Sequence, residues 1–202
     1  FFKKIENYQG EITELRSSKG PLKISEVVDR NPIYDGLFKG AGEIGIPVNK
    51  DYNGDEQEGI SYTQTTIFKG ERMSAEVAYL KPIRSRRNLK IITNSLVTKL
   101  LFDGKTCVGV KVKNKNKIQD YFSQNEVILC GGAINSPQVL ELSGIGNRSI
   151  LEEKGISLVH ELKGVGENLR DHLGPRLVYN ITKRGISYND KARGINLIKQ
   201  VL

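Results

Sequence analysis

The run from Val127 to Pro137 has residue types suited to holding a ligand. Val127-Ile128-Leu129-Cys130 is a continuous apolar stretch, the pattern of a strand buried on both faces. It leads into Gly131-Gly132-Ala133, and Asn135-Ser136-Pro137 then opens a helix with a good N-cap and Pro at the first helical position. Small residues let a flat ring or a phosphate approach the backbone, and unpaired N–H groups at a helix start favour negative charge. A buried strand, a glycine turn and a helix N-terminus form the geometry at which open α/β sheets bind ligands. Many α/β proteins carry such a turn for structural reasons alone, so on geometry both readings stand.

Other candidates for chemistry are weaker. Gly40-Ala41-Gly42-Glu43-Ile44-Gly45 fits G-x-G-x-x-G, which binds a pyrophosphate only when it follows a strand and opens a helix. Here the glycines close a helix and lead into Pro47 and the polar loop from Asp51 to Asp55, so the match is a false positive. His172 beside Asp171 invites a general-base reading, but a base needs hydrogen-bond reach to the proton it removes. It reads instead as part of a structural turn, and His160 as a surface residue ending a strand pattern. Cys107 and Cys130 form no C-x-x-C and have no metal-ligand spacing with the histidines, so no metal site is expected.

The continuation of the first run is more specific. Gly132-Ala133-Ile134-Asn135-Ser136-Pro137-Gln138-Val139-Leu140-Glu141-Leu142-Ser143-Gly144-Ile145-Gly146 resembles, at every constrained position, the second signature of the glucose-methanol-choline (GMC) oxidoreductases. That signature reads Gly-Ala, two free residues, Ser-Pro, one free, two aliphatics, two free, then Ser-Gly-aliphatic-Gly. Downstream, Gly164 to His172 resembles the family's Val-Gly-x-Asn-Leu-Gln-Asp-His segment, with Arg170 where Gln is usual. Upstream, Asp51 to Gly59 and Gly70 to Leu80 resemble the family's Asn-Gly-x-x-Gln-x-Gly and Gly-x-Arg-x-Ser-x-x-x-Ala-Tyr-Leu stretches. Asn88-Leu89-Lys90-Ile91 followed by Leu96-Val97-Thr98-Lys99 matches the strand pair before the signature, and the texture is similar to the insect glucose-dehydrogenase-like branch.

The resemblance implies an α/β protein, α+β overall. Part of a Rossmann-like FAD domain is expected over residues 87–170, part of an antiparallel-sheet substrate domain over 1–86, and a return into the substrate domain over 171–202. It implies FAD as cofactor, with Val97 meeting the adenine through its backbone and Gly131, Gly132 and Ala133 near the flavin. It also implies a small alcohol or sugar as substrate, a CH–OH donor whose hydride passes to flavin N5. The family's proton-accepting His and its FAD fingerprint have no counterpart in these residues, so no catalytic residue is assigned. A non-catalytic relative that keeps the fold as a binding or structural protein is the alternative.

These residues need elements to position them. Phe1 to Gly20 begins as a short helical pattern and becomes a polar loop; Pro21 to Val28 reads as a strand. Asn31 offers an N-cap with Pro32 at the first helical position, and Ile33, Leu37, Ala41 and Ile44 follow at helical spacing. Ser61 to Phe68 is strand-like, and Ser74 to Lys81 gives one or two helical turns stopped by Pro82. Leu89–Ile92, Leu96–Phe102, Val108–Val112 and Ile118–Phe122 read as short strands, with a turn at Asp103-Gly104.

Composition bounds the rest. The 202 residues are 38% hydrophobic and 27% charged, as in an ordinary soluble globular protein. No apolar stretch approaches the roughly 20 residues of a membrane helix. The opening Phe1-Phe2-Lys3-Lys4 has no initiator Met and no signal pattern, and reads as an interior segment. The net charge of +8 is scattered and has no interleaved aromatics, which argues against nucleic-acid binding. Sequons at Asn147 and Asn180 would permit glycosylation in a secretory protein and leave the compartment open.

Overall fold

The computed structural model describes residues 1–28, 30–182, 185–194 and 197. The chain is a mixed helix and sheet protein that divides into two compact units, Phe1–Leu89 with Leu177–Leu202, and Lys90–Arg176. Parts of the expected 171–202 return lie outside the described residues.

In the first unit, α1 (Phe2–Ile5) runs directly into β1 (Glu6–Tyr8), which pairs in parallel with β2 (Leu22–Glu26). The helix α2 (Pro32–Glu43) forms where its signals lie: the Asn31 side chain accepts from Ile33 N at 3.0 Å, and Pro32 fills a first-turn position whose N–H needs no partner. Asn31 is 2% exposed, and its Nδ2 donates to Ile186 O at 2.8 Å, so the cap also holds the backbone at Ile186. The helix stops at Ile44, and Gly45 turns away at φ +82, so the glycines do close a helix.

The strand-like stretch from Ser61 to Phe68 is shorter than expected. Only β3 (Gln64–Thr65), antiparallel to β2, and β4 (Ile67–Phe68), antiparallel to β5 (Glu71–Arg72), are paired. Lys69 and Gly70 both have positive φ, which closes the tight β4–β5 hairpin. Beyond it a π-helical turn, Glu76–Leu80, passes into a 3₁₀ turn, Lys81–Ile83, so Pro82 does not stop the coil. Pro82 stands at the start of the new turn, where a missing N–H is tolerated.

In the second unit a three-stranded antiparallel meander of β6 (Leu96–Asp103), β7 (Thr106–Asn114) and β8 (Lys117–Phe122) supports α3 (Gly132–Leu142). The register shifts between Val97 and Lys99, so Thr98 bulges, and its Oγ1 donates to Lys111 O at 3.2 Å. After α3 come β9 (Ile145–Gly146), α4 (Arg148–Glu153) and β10 (His160–Glu161), with β9 and β10 parallel. Gly144 sits at φ +88 where a Cβ would lie 2.4 Å from Ser157 O, so the chain can cross here only without a side chain. Leu151, Leu100, Val112, Val139 and Ser143 are buried within this unit.

Three sequence expectations are corrected here. Val127–Cys130 is not a strand: among the described residues it has no partner strand, and Ile128 is 73% exposed. β composition suits a pleated, half-buried surface but does not supply a neighbour. Leu89–Ile92 is likewise irregular, with Ile91 and Ile92 more than 40% exposed. Finally, α3 begins at Gly132 with Gly131 as N-cap, so Pro137 lies inside the helix.

Candidate functional site

A cleft of about 550 Å³ opens in the second unit between α3 and the loop from Gly166 to Arg170. Ala133, Pro137, Gln138 and Glu141 form its helical wall. The opposite wall needs an unusual backbone: Gly166 is at φ +79, and Asn168 is a non-glycine residue held at φ +58. Glycine and asparagine are the residues that enter this region most readily, so the loop turns here at little cost.

The glycines of α3 differ in what surrounds them. A Cβ on Gly131 would press within 3.1 Å of Ser136 N and 3.2 Å of its Oγ, so this glycine lets the turn close on the helix. A Cβ on Gly132 would meet nothing within 4 Å, and its φ is +82. Gly132 thus leaves free space beside a turn that a side chain would block, which fits the approach of a flat ring or a phosphate.

The structure separates the expected site residues. Gly131, Gly132 and Ala133 are consecutive at the start of α3; Ala133 lines the cleft, and Gly131 and Gly132 precede it without lining the cleft. Val97 lies half-buried on β6, paired with Val112 beside the Thr98 bulge, and is not among the residues lining the cleft. His172 is exposed, and its backbone N donates to Asp171 Oδ1 at 2.7 Å, so that carboxylate serves the main chain, not the imidazole. His160 is exposed on β10.

One buried hydroxyl ties the two elements that carry the expected residues. Ser143, 1% exposed, accepts from Leu100 N on β6 at 2.8 Å and donates to Val139 O on α3 at 2.5 Å. The signature run requires Ser at this position, but no local pattern shows that its partner is Leu100, 43 residues away.

A charged network in the first unit went unread in the sequence. Arg16 is 3% exposed; its Nε donates to Glu6 Oε1 at 3.1 Å and its Nη1 to Asp51 Oδ1 at 2.5 Å. Gln64 Nε2 also donates to Asp51 Oδ1, at 2.7 Å. The guanidinium lies 3.7 Å from the Tyr8 ring centre, and Tyr8 OH donates to Glu26 Oε1 at 3.2 Å. Burial, with the carboxylates of Glu26 and Asp51 nearby, pushes the Tyr8 phenol up to about 12. Burial would raise the Asp51 carboxyl, but hydrogen bonds from Gln64, the Asn53 backbone and Arg16 outweigh it and hold the group below its ordinary value.

Comparison with known proteins is consistent in direction. A family model described as GMC oxidoreductase matches residues 1–174. The mitochondrial choline dehydrogenase of Homo sapiens is 41% identical over 173 residues, 86% of this chain and 29% of that protein. The oxygen-dependent choline dehydrogenase of Brucella anthropi is 40% identical over 86% of this chain and 31% of its own length. Among solved structures, an FAD-dependent oxidoreductase from Chaetomium thermophilum superposes with a TM-score of 0.78 at 30% identity, covering 84% of this chain and 32% of that one. The chain therefore spans less than a third of these relatives.

Proposed function

This chain belongs to the GMC oxidoreductase family, and from that premise we propose that it takes part in an FAD-dependent oxidation of a CH–OH donor. FAD is the cofactor the family and its FAD-dependent structural relatives indicate. When bound, the flavin accepts the hydride that leaves the donor carbon, at N5. The residues described here bind and orient it. Gly131, Gly132 and Ala133 border the flavin, and Val97 meets the adenine through its backbone. The observation that carries this is the free space beside Gly132 where the signature run turns into α3.

The substrate class follows the relatives' names. Two choline dehydrogenases at 40% and 41% identity support a small hydroxylated substrate of the choline type. The insect glucose-dehydrogenase-like branch, and with it a sugar substrate, rests only on the texture of residues 88–98. We assign residues 87–170 to the FAD side and 1–86 with 171–202 to the substrate side. The compact units Lys90–Arg176 and Phe1–Leu89 with Leu177–Leu202 support that division.

The test is cofactor retention followed by turnover. The complete polypeptide that carries these residues should hold FAD through gel filtration, and anaerobic choline should bleach its flavin absorbance, whereas the 202 residues alone should bind FAD weakly or not at all. Gly132→Ala should weaken flavin binding while lowering the unfolding free energy by about 1–3 kcal/mol, because its Cβ meets no neighbour and the strain comes from the backbone at φ +82. Retention of flavin by that variant would remove Gly132 from the site.

A further inference from the structure

We infer that the Glu141 carboxylate accepts a hydrogen bond from the hydroxylated side chain of a bound flavin, an inference that rests on the cleft being the flavin site. Glu141 is half-buried on α3 and lines the cleft. Its position is one of the free ones in the signature run, so the family resemblance assigns it no duty.

The surrounding backbone makes room for this side chain from two directions. A Cβ on Gly146 would come within 3.2 Å of Glu141 Cγ, and a Cβ on Gly166 within 3.2 Å of Glu141 Oε1. Gly166 is further held at φ +79, and Gly146 is buried. Glu141 is thus lodged between two glycine backbones, not trailing into solvent. Despite that placement its carboxylate makes no hydrogen bond or ion pair with any described residue.

A carboxylate accepts and does not donate, so a ligand that pairs with it in the cleft must bring hydrogen-bond donors. Arg170 lines the facing wall without pairing to Glu141. A polyol chain meets that requirement: its O–H groups donate, and O–H···O⁻ bonds are among the strong ones. The ribityl chain of a flavin is such a polyol, attached to the ring that the open side of Gly132 admits.

Riboflavin and lumiflavin share the ring and differ in that chain, so their binding isolates it. Both are titrated by fluorescence quenching against the complete polypeptide that carries these residues, freed of FAD, and against its Glu141→Ala and isosteric Glu141→Gln variants. The parent should prefer riboflavin by about tenfold, the value of one charge-assisted hydrogen bond. In Glu141→Ala the preference should vanish while lumiflavin affinity stays within about twofold; in Glu141→Gln, whose amide oxygen still accepts, about threefold should remain. Equal weakening of both flavins by Glu141→Ala, or no preference in the parent, overturns the inference and leaves the cleft as a ring site. Failure of the parent to bind either flavin overturns the cleft reading, and the inference falls with it.

Discussion

The surroundings of Arg16 and those of the α3 cleft handle polar groups in opposite ways. Around Arg16 nearly every buried polar atom has a partner; Asp51 Oδ2 is the exception among the described residues. Around the cleft, Glu141 and Arg170 share no hydrogen bond or ion pair, Asn168 turns the loop at φ +58, and Gly132 next to Ala133 is unobstructed. A satisfied network resists change and holds a fold together. A half-buried Glu141 and an exposed Arg170 on the walls of an open cleft remain available to whatever binds there. The first region is therefore read as architecture and the second as a receptacle.

That contrast can be broken at three points. The largest effect belongs to Arg16→Met, which leaves Glu6 and Asp51 facing each other without their cation. Stripping one partner from a buried ion pair costs about 3–5 kcal/mol. Urea unfolding at neutral pH should show that loss, and a cost below about 1 kcal/mol would mean the network contributes little. Next is Ser143→Ala, which orphans the buried Leu100 N and should cost about 1–3 kcal/mol. Flavin affinity should fall with it, since β6 and α3 lose their shared tie; unchanged affinity would separate the latch from the cleft.

The smallest effect is absent at neutral pH. Tyr8 holds its proton more tightly folded than unfolded, with a value near 12 against an ordinary 10. Its contribution is therefore complete below pH 10 and is lost as pH rises towards 12. Tyr8→Phe has no such proton to lose, so its urea midpoint should decline less steeply than the parent's over that interval. Parallel declines would show that the phenol titrates as if exposed.

Local grammar was legible in the sequence; long-range partnership was not. Asn31 and Pro32 announce the start of α2 because a cap is a contact within two residues. The meander was readable because Asp103-Gly104 and the Lys115-Asn116 turn are local devices between alternating strands. The Arg16 network joins residues 10, 35 and 48 positions apart, and no periodicity links them. Val127–Cys130 failed for the same reason: a strand is a relation between two segments, and apolar composition names only one. The signature run located the cleft's helical wall, yet it is silent on Glu141, whose meaning arises from Gly146 and Gly166 coming to it in space.

The lone apolar stretch Val127–Cys130 bears on how the chain behaves in solution. Its main chain has no neighbouring strand among the described residues and its Ile128 is largely bare, so apolar surface and unpaired backbone lie together there. The net charge of +8 keeps molecules apart while that field reaches far enough. At physiological ionic strength the reach shrinks to about 8 Å, and the same segment then becomes adhesive. Colloidal stability of this chain should thus fall as salt is added, the reverse of what its hydrophilic composition suggests.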